Sequence, residues 1–202
     1  MSSSRISAFL GLLIFLTVLS ACAEPSAQEK PPGKGADLAE AARQRIGVTL
    51  SYDGSYRSLA YPGGDVADDT GVCTDVVVRA LRTQGQDLQK LVHEDMKRNF
   101  SAYPKRWQLR RPDPNIDHRR VPNLRTFFKR RSLSLPVSRN PADYLPGDLV
   151  TCTVAGNRPH IMIVSWRKAS DGTPLIIHNI GSGTQEENAL FSFPLTGHYR
   201  WH

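Results

Sequence analysis

Two textures divide this chain. From about residue 37 to 131, apolar positions recur at helical spacing among polar ones; beyond Pro136 they come in short runs rich in β-branched and aromatic residues. The first texture predicts four helices. "DLAEAARQRIG" opens with Asp37 as an N-cap and closes at Gly47, so a helix covers about 38 to 46. After a turn-rich loop from Tyr52 to Gly71, "TGVCTDVVVRALRTQG" at 70 to 85 places Cys73, Val77, Ala80 and Leu81 on one stripe, and Gly85 stops it. Asp87 caps "LQKLVHEDMKRNF", and the polar loop "RRPDPNIDHRRVPN" leads to a short basic helix, "LRTFFKRR". The second texture predicts strands in "GDLVTCTV", "HIMIVSW", "LIIHNIG", "ALFSFPL" and "GHYRW", separated by turn signals such as "GNRP" and "SDGTP". Helices first and hairpin-linked strands afterwards indicate an α+β domain with a mostly antiparallel sheet, on which the cysteine helix buries its apolar stripe.

The start of the chain follows neither texture. Arg5 is the only charge before an apolar run from Ala8 to Leu19, which ends in "LSAC". One positive residue, about a dozen apolar ones and a small-residue cleavage site form a secretory signal, too short to span a bilayer. "LSAC" resembles the lipobox of bacterial lipoproteins, which makes residues 1–21 a signal peptide and Cys22 the acylated anchor. "AEPSAQEKPPGKG" then reads as a flexible tether, giving a boundary of 22–36. The remainder, 37–202, suits one domain with a real core and is short for two.

Charge sharpens this picture. The chain is formally +7, and between Lys97 and Arg131 twelve Lys and Arg face two acids, Asp113 and Asp117. A basic segment at about 97–131 favours anionic partners. In a cell envelope these are lipid and acidic wall peptides; nucleic acid is not expected there. The alternative is a merely solvated basic face.

Cys73 is the candidate nucleophile. A thiol at a helix N-terminus feels unpaired N–H groups and the positive end of the dipole, which can bring its pKa from about 8.5 to about 4–7. His160 opens "HIMIVSW" and shares a face with Met162 and Val164, which is expected to meet what Val77 and Ala80 touch. His178, in the next strand, falls beside it if the register is right, giving nucleophile, base and orienting group. Asn179 is the alternative third member, although a regular strand turns it away from His178. His198 reads as structural or substrate-lining. Two rivals use the same residues: a Cys73–Cys152 disulfide, which would abolish nucleophilic chemistry, and a zinc site of Cys73, His160 and His178.

The order of these pieces resembles the NlpC-type branch of the papain-like cysteine peptidases, which cut cell-wall peptides. The resemblance runs through Tyr52, "YPGGD", Cys73, "PGDLV", "PHIMIV" and "IHN", over about residues 48–202. More closely, "VCTDVVVRALR", "LVHEDM", "NIDHRRVPNL", "HNIG" and "GHYR" look like a bacterial secreted family of unassigned function within that superfamily. The resemblance implies a papain-like fold with Cys73 as nucleophile, His160 as base and acid, and His178 as orienting residue. It also implies Tyr52 beside the oxyanion, no cofactor or metal, and a periplasm-facing monomer acting on peptidoglycan peptides.

Two departures stand out. Asp75 occupies a position where such peptidases carry a small residue, and could shape substrate choice or raise the thiol pKa. The insertion carrying Asp117, His118, Arg119 and Arg120 offers paired arginines suited to carboxylates, or a salt-bridge cluster that fastens the insertion. A domain that grips wall peptides without cutting them is the competing function.

Overall fold

The computed structural model describes residues 28–201; the apolar leader and Cys22 lie outside the described residues. Four helices come first. α1, Lys34–Arg43, starts earlier than expected: Gly33 is its N-cap, and Asp37 sits within its first turn, paired with Lys30 at 2.6 Å. Inside the turn-rich loop, β1 (Ser51–Tyr52) and β2 (Thr70–Gly71) form a two-residue parallel pair. α2 covers Cys73–Arg82, and α3 covers Leu88–Asn99 with the Asp87 carboxylate accepting the Gln89 N–H. α4, Val121–Arg130, begins three residues before the expected start, with Pro122 in the first turn, where no backbone donor is needed.

Strands then build one sheet. β3 (Ser134–Leu135), β4 (Leu149–Val154), β5 (Arg158–Lys168), β6 (Pro174–Asn179), β7 (Thr184–Glu187) and β8 (Leu195–Tyr199) pair antiparallel in the order β3-β8-β4-β5-β6-β7. The expected strand "ALFSFPL" is not one. Its apolar side chains instead cover the sheet from a turn, with Leu190 fully buried. The strand beside β6 is the polar "TQEE", because an edge strand is held through its backbone and needs no apolar alternation.

The sheet is apolar on both faces. On one, Leu149, Ile161, Ile163 and Ile177 pack under α1–α4 together with Val77, Ala80, Leu81 and Phe128. On the other, Val150, Cys152, Met162, Val164 and Ile176 meet Tyr144, Leu190 and the phenylalanines of the 189–195 turn. Met162 and Val164, and with them His160, which pairs with Cys152, thus lie on the face away from Val77 and Ala80, contrary to the expectation from the sequence. The helix layer takes the odd-numbered positions of β5.

One buried ion pair fixes where α2 begins. Asp75, in its first turn, accepts the Val72 N–H at 2.7 Å and receives the Arg119 guanidinium at 3.0 Å. Arg119 uses its remaining donors on the carbonyls of Asp53 and Ser55, so one side chain ties α2, the 53–55 loop and the insertion together. Both charged side chains are almost fully buried, at 2% and 4% exposure. Removing one partner of such a pair strands the other charge. We therefore expect Arg119→Ala to destabilise by about 3–5 kcal/mol, and Arg120→Ala, which has no ion pair to lose, by much less. Urea unfolding of the two variants checks this.

Three further buried groups set an acid limit. Burial holds His118 down at about 4 and His160 at about 3, against an ordinary 6.5, and lowers His178. Unfolding frees these rings to take protons from about pH 6.5 downward while the folded chain leaves them neutral. Stability therefore falls as pH drops below that value. A urea midpoint that declines between pH 6.5 and 5, above the range of ordinary carboxylates, is the expected result. His118→Gln should make that decline shallower.

Candidate active site

Val72, in extended conformation, ends the loop, and Cys73 is the first residue of α2. The thiol is 4% exposed and lines a cleft of about 500 Å3 with Tyr52, Trp107, Arg119, Arg120 and Pro159. The helix terminus does not make it acidic. Burial pushes the Cys73 thiol up to about 12 and the Asp75 carboxylate adds to this, against the backbone groups of Ile161 and Thr74, which favour the thiolate. Loss of water outweighs the helix dipole here. The sequence-based expectation of about 4–7 is corrected accordingly.

The backbone of Ile161 that contacts this sulfur immediately follows His160 at the start of β5. Register places His160, Met162, Val164, Ile176, His178 and Glu187 on one face of β5, β6 and β7. Across that face His160 Nε2 and His178 Nδ1 lie 2.9 Å apart, and His178 Nε2 lies 2.9 Å from Glu187 Oε2. The carboxylate fixes every proton in this row. Ionised Glu187 can only accept, so His178 carries its proton on Nε2 and presents a lone pair at Nδ1. His160 must then donate from Nε2, which leaves its Nδ1 as a basic nitrogen. Burial keeps both rings neutral. Chemically, the row is a base whose tautomer is set by Glu187, two residues along it. The His160 ring lies on the sheet face of Cys152, while the protonated Cys73 thiol belongs to the helix-side core and touches the backbone of the next residue, Ile161.

Glu187 had no sequence signal of its own. It lies nine residues beyond His178 in a polar run, and only the β6–β7 register brings it under the ring. Asn179, by contrast, faces α2, where its amide donates to the carbonyls of Ser51 and Gly71 and moors the loop before Cys73. The residue hydrogen-bonded to His160 is therefore His178. Tyr52 is half-exposed, and burial together with the charges of Cys73 and Asp75 raises its hydroxyl to about 12, so it stays a donor.

The insertion is divided between structure and cleft. Asp75 is buried as helix cap and ion-pair partner, so it is not a substrate contact. Asp117 is likewise removed from the cleft. It accepts from His93 Nδ1 at 3.0 Å and from the Asp113 N–H at 2.7 Å, clasping the insertion to α3. His118 is buried without lining the cleft, and Arg119 lines it with its guanidinium already engaged. Arg120 is different: its guanidinium stacks 4.1 Å over the Trp107 ring in the cleft wall, and its buried Nη1 has no hydrogen-bond partner.

The rivals fare as follows. Cys73 and Cys152 are both free thiols, Cys73 toward the helices and Cys152 in the core on the other face. The facing nitrogens of His160 and His178 are used on each other, and no metal-holding group of three or more His, Cys, Asp or Glu occurs among the described residues. His198 is structural: its Nε2 meets buried Asp148 at 2.7 Å, which also takes the Arg200 guanidinium.

A buried, protonated thiol has a kinetic signature. Iodoacetamide should alkylate Cys73 at a rate that keeps climbing through pH 9, with no plateau near neutrality. Mass spectrometry of the tryptic peptide reads this rate; saturation by pH 7 would reveal a thiolate that the burial argument does not allow.

The chain is 58% identical over 164 residues to "Uncharacterized protein YijF" of Escherichia coli (strain K12), covering 81% of this chain and 80% of that protein. Among solved structures it is similar to NlpC1 from Trichomonas vaginalis, at 13% identity and a TM-score of 0.46 over 86% of this chain and 46% of that one. NlpC2 from the same organism gives 12% identity and a TM-score of 0.44, over 87% and 50%. The chain thus spans about half the length of the solved structures it matches. The family model described as "Domain of unknown function (DUF1287)" matches residues 39–201, nearly all of the described domain, and the chain belongs to that family.

Proposed function

We propose that this chain is a periplasm-facing lipoprotein, anchored through Cys22, whose papain-like domain hydrolyses an amide bond in peptidoglycan peptides. The observation that carries the reading is the hydrogen-bonded row Glu187–His178–His160, which leaves a basic Nδ1 on the residue adjoining the contact of Ile161 with the Cys73 sulfur. The fold class and the order of Cys, His and His along it agree with an NlpC-type peptidase. The domain acts as a monomer and without a cofactor.

The chemistry follows from the neutral resting state. At the open start of β5 the His160 ring reaches round to the Cys73 side of the sheet when substrate is bound. Its Nδ1 takes the Cys73 proton as the sulfur attacks the carbonyl carbon, so thiolate forms only as the new C–S bond does. The Tyr52 hydroxyl and the backbone N–H of Cys73 donate to the oxyanion. The C–N bond then breaks, and the departing amine takes the proton from His160. Water, deprotonated by the same nitrogen, attacks the thioester; the C–S bond breaks, releasing a carboxylate and restoring the thiol. Through both transfers His178 and Glu187 hold the imidazole orientation and favour the imidazolium.

A second reading has an observation of its own. The thiol is buried and raised to about 12, with a carboxylate adding to the shift, which favours a domain that grips wall peptides without cutting them.

Digestion of purified sacculi separates the two. Under reducing conditions, wild type should release new muropeptides that Cys73→Ala does not, and their masses name the bond. If neither protein releases fragments while both sediment with sacculi, the binding module is the better account. Glu187→Gln should lower kcat by about 10–100-fold, since an amide in place of the carboxylate no longer fixes the tautomers.

A further inference from the structure

Beyond the Cys73 cleft lies a second cavity of about 590 Å3, between α4 and the ends of β4 and β8. The two share Arg106, Pro122 and Pro159 as wall residues, so they form one trough that passes the residue before His160. Its charge is one-sided. Arg106, Arg119, Arg120, Arg125 and Lys129 line it, and neither cavity has an aspartate or glutamate in its wall.

These cations differ from several arginines elsewhere on the domain, although Arg98, Arg110, Arg111, Arg131, Arg139 and Arg158 likewise lack a carboxylate partner among the described residues. Arg79, Arg82, Arg130 and Arg200 each pair with a carboxylate. In the trough only Arg119 does so. Among the described residues, no carboxylate pairs with Arg106, Arg120, Arg125 or Lys129. Arg120 is held flat on Trp107 with a buried Nη1 unpaired, and Arg125 is steadied by one bond to the Thr196 carbonyl. A desolvated guanidinium nitrogen with no acceptor is unfavourable in the empty protein and is satisfied when an anionic oxygen arrives.

We propose that the whole trough is the binding site for an extended peptide bearing at least two carboxylates. Arg120 and Arg106 take one next to Cys73, and Arg125 and Lys129 take another further along. The inference deepens the peptidase reading and rests on it for the identity of the peptide, but binding does not require turnover. Pairing at both ends would seat the chain across the cleft and select against neutral peptides of the same length.

The test uses the full chain carrying Cys73→Ala, so that binding is read without cleavage. The probe is the wall tetrapeptide L-alanyl-γ-D-glutamyl-diaminopimelyl-D-alanine, compared by calorimetry with the same peptide amidated at every carboxyl. The acidic peptide should bind at least roughly tenfold tighter, a gap that narrows between 50 and 300 mM salt. Adding Arg125→Gln and Lys129→Gln should weaken it by a similar factor. The pair Lys90→Gln and Lys168→Gln, with the same loss of charge on exposed positions elsewhere, should leave binding unchanged. Melting curves confirm that each variant is folded. Equal affinity for both peptides, or equal weakening by the two double variants, would overturn the proposal. Tight selective binding with no cleavage by wild type would sink the peptidase reading and leave the trough intact.

Discussion

The site depends on a single buried ion pair. Asp75 and Arg119 are both shut away from water, and neither charge would be tolerated there alone. Because the carboxylate also accepts the Val72 N–H, the pair fixes the residue at which α2 starts. Because the guanidinium also holds the carbonyls of Asp53 and Ser55, it fixes the loop that carries Tyr52 beside Cys73. An aspartate in this place looks like a defect when judged against a peptidase pattern with a small residue there. In this fold it replaces compactness with a charge clasp that brings the basic insertion over the cleft.

That clasp has an electrostatic consequence. A carboxylate two residues from Cys73 opposes ionisation of its thiol, and burial opposes it more strongly. The row from Glu187 through His178 to His160 is likewise neutral at its rings at rest, a base of defined tautomer that carries no resting positive charge. The two arrangements are consistent with each other. In the proposed reaction, a neutral thiol and a neutral, oriented imidazole separate charge only when a substrate carbonyl is there to receive the sulfur.

Parts of this were legible in the residues. The α+β class, the cysteine at the start of its helix and Asp87 as a cap follow from local spacing and capping chemistry, which act over a few residues. The pairing of His178 with His160 was open in the sequence and is settled in the fold by register. Where local pattern failed, a longer-range term was decisive. "ALFSFPL" is apolar enough for a strand but serves as a lid on the second core, while "TQEE" is a strand because β6 offers it an edge.

The sequence by itself determined which groups are present and how near each lies to a helix end or strand start, because periodicity and capping are local. It thereby determined a cysteine at a helix start, histidines at strand positions and the sign of charge around them. Only the tertiary structure decided which of those groups lost water and which met each other. Burial, not the helix dipole, set the thiol; strand register, not proximity in the chain, brought Glu187 to His178; and ion pairing engaged the Arg119 guanidinium in the trough wall while leaving that of Arg120 without a carboxylate. Desolvation and pairing depend on neighbours tens of residues away, and no short stretch of sequence contains them.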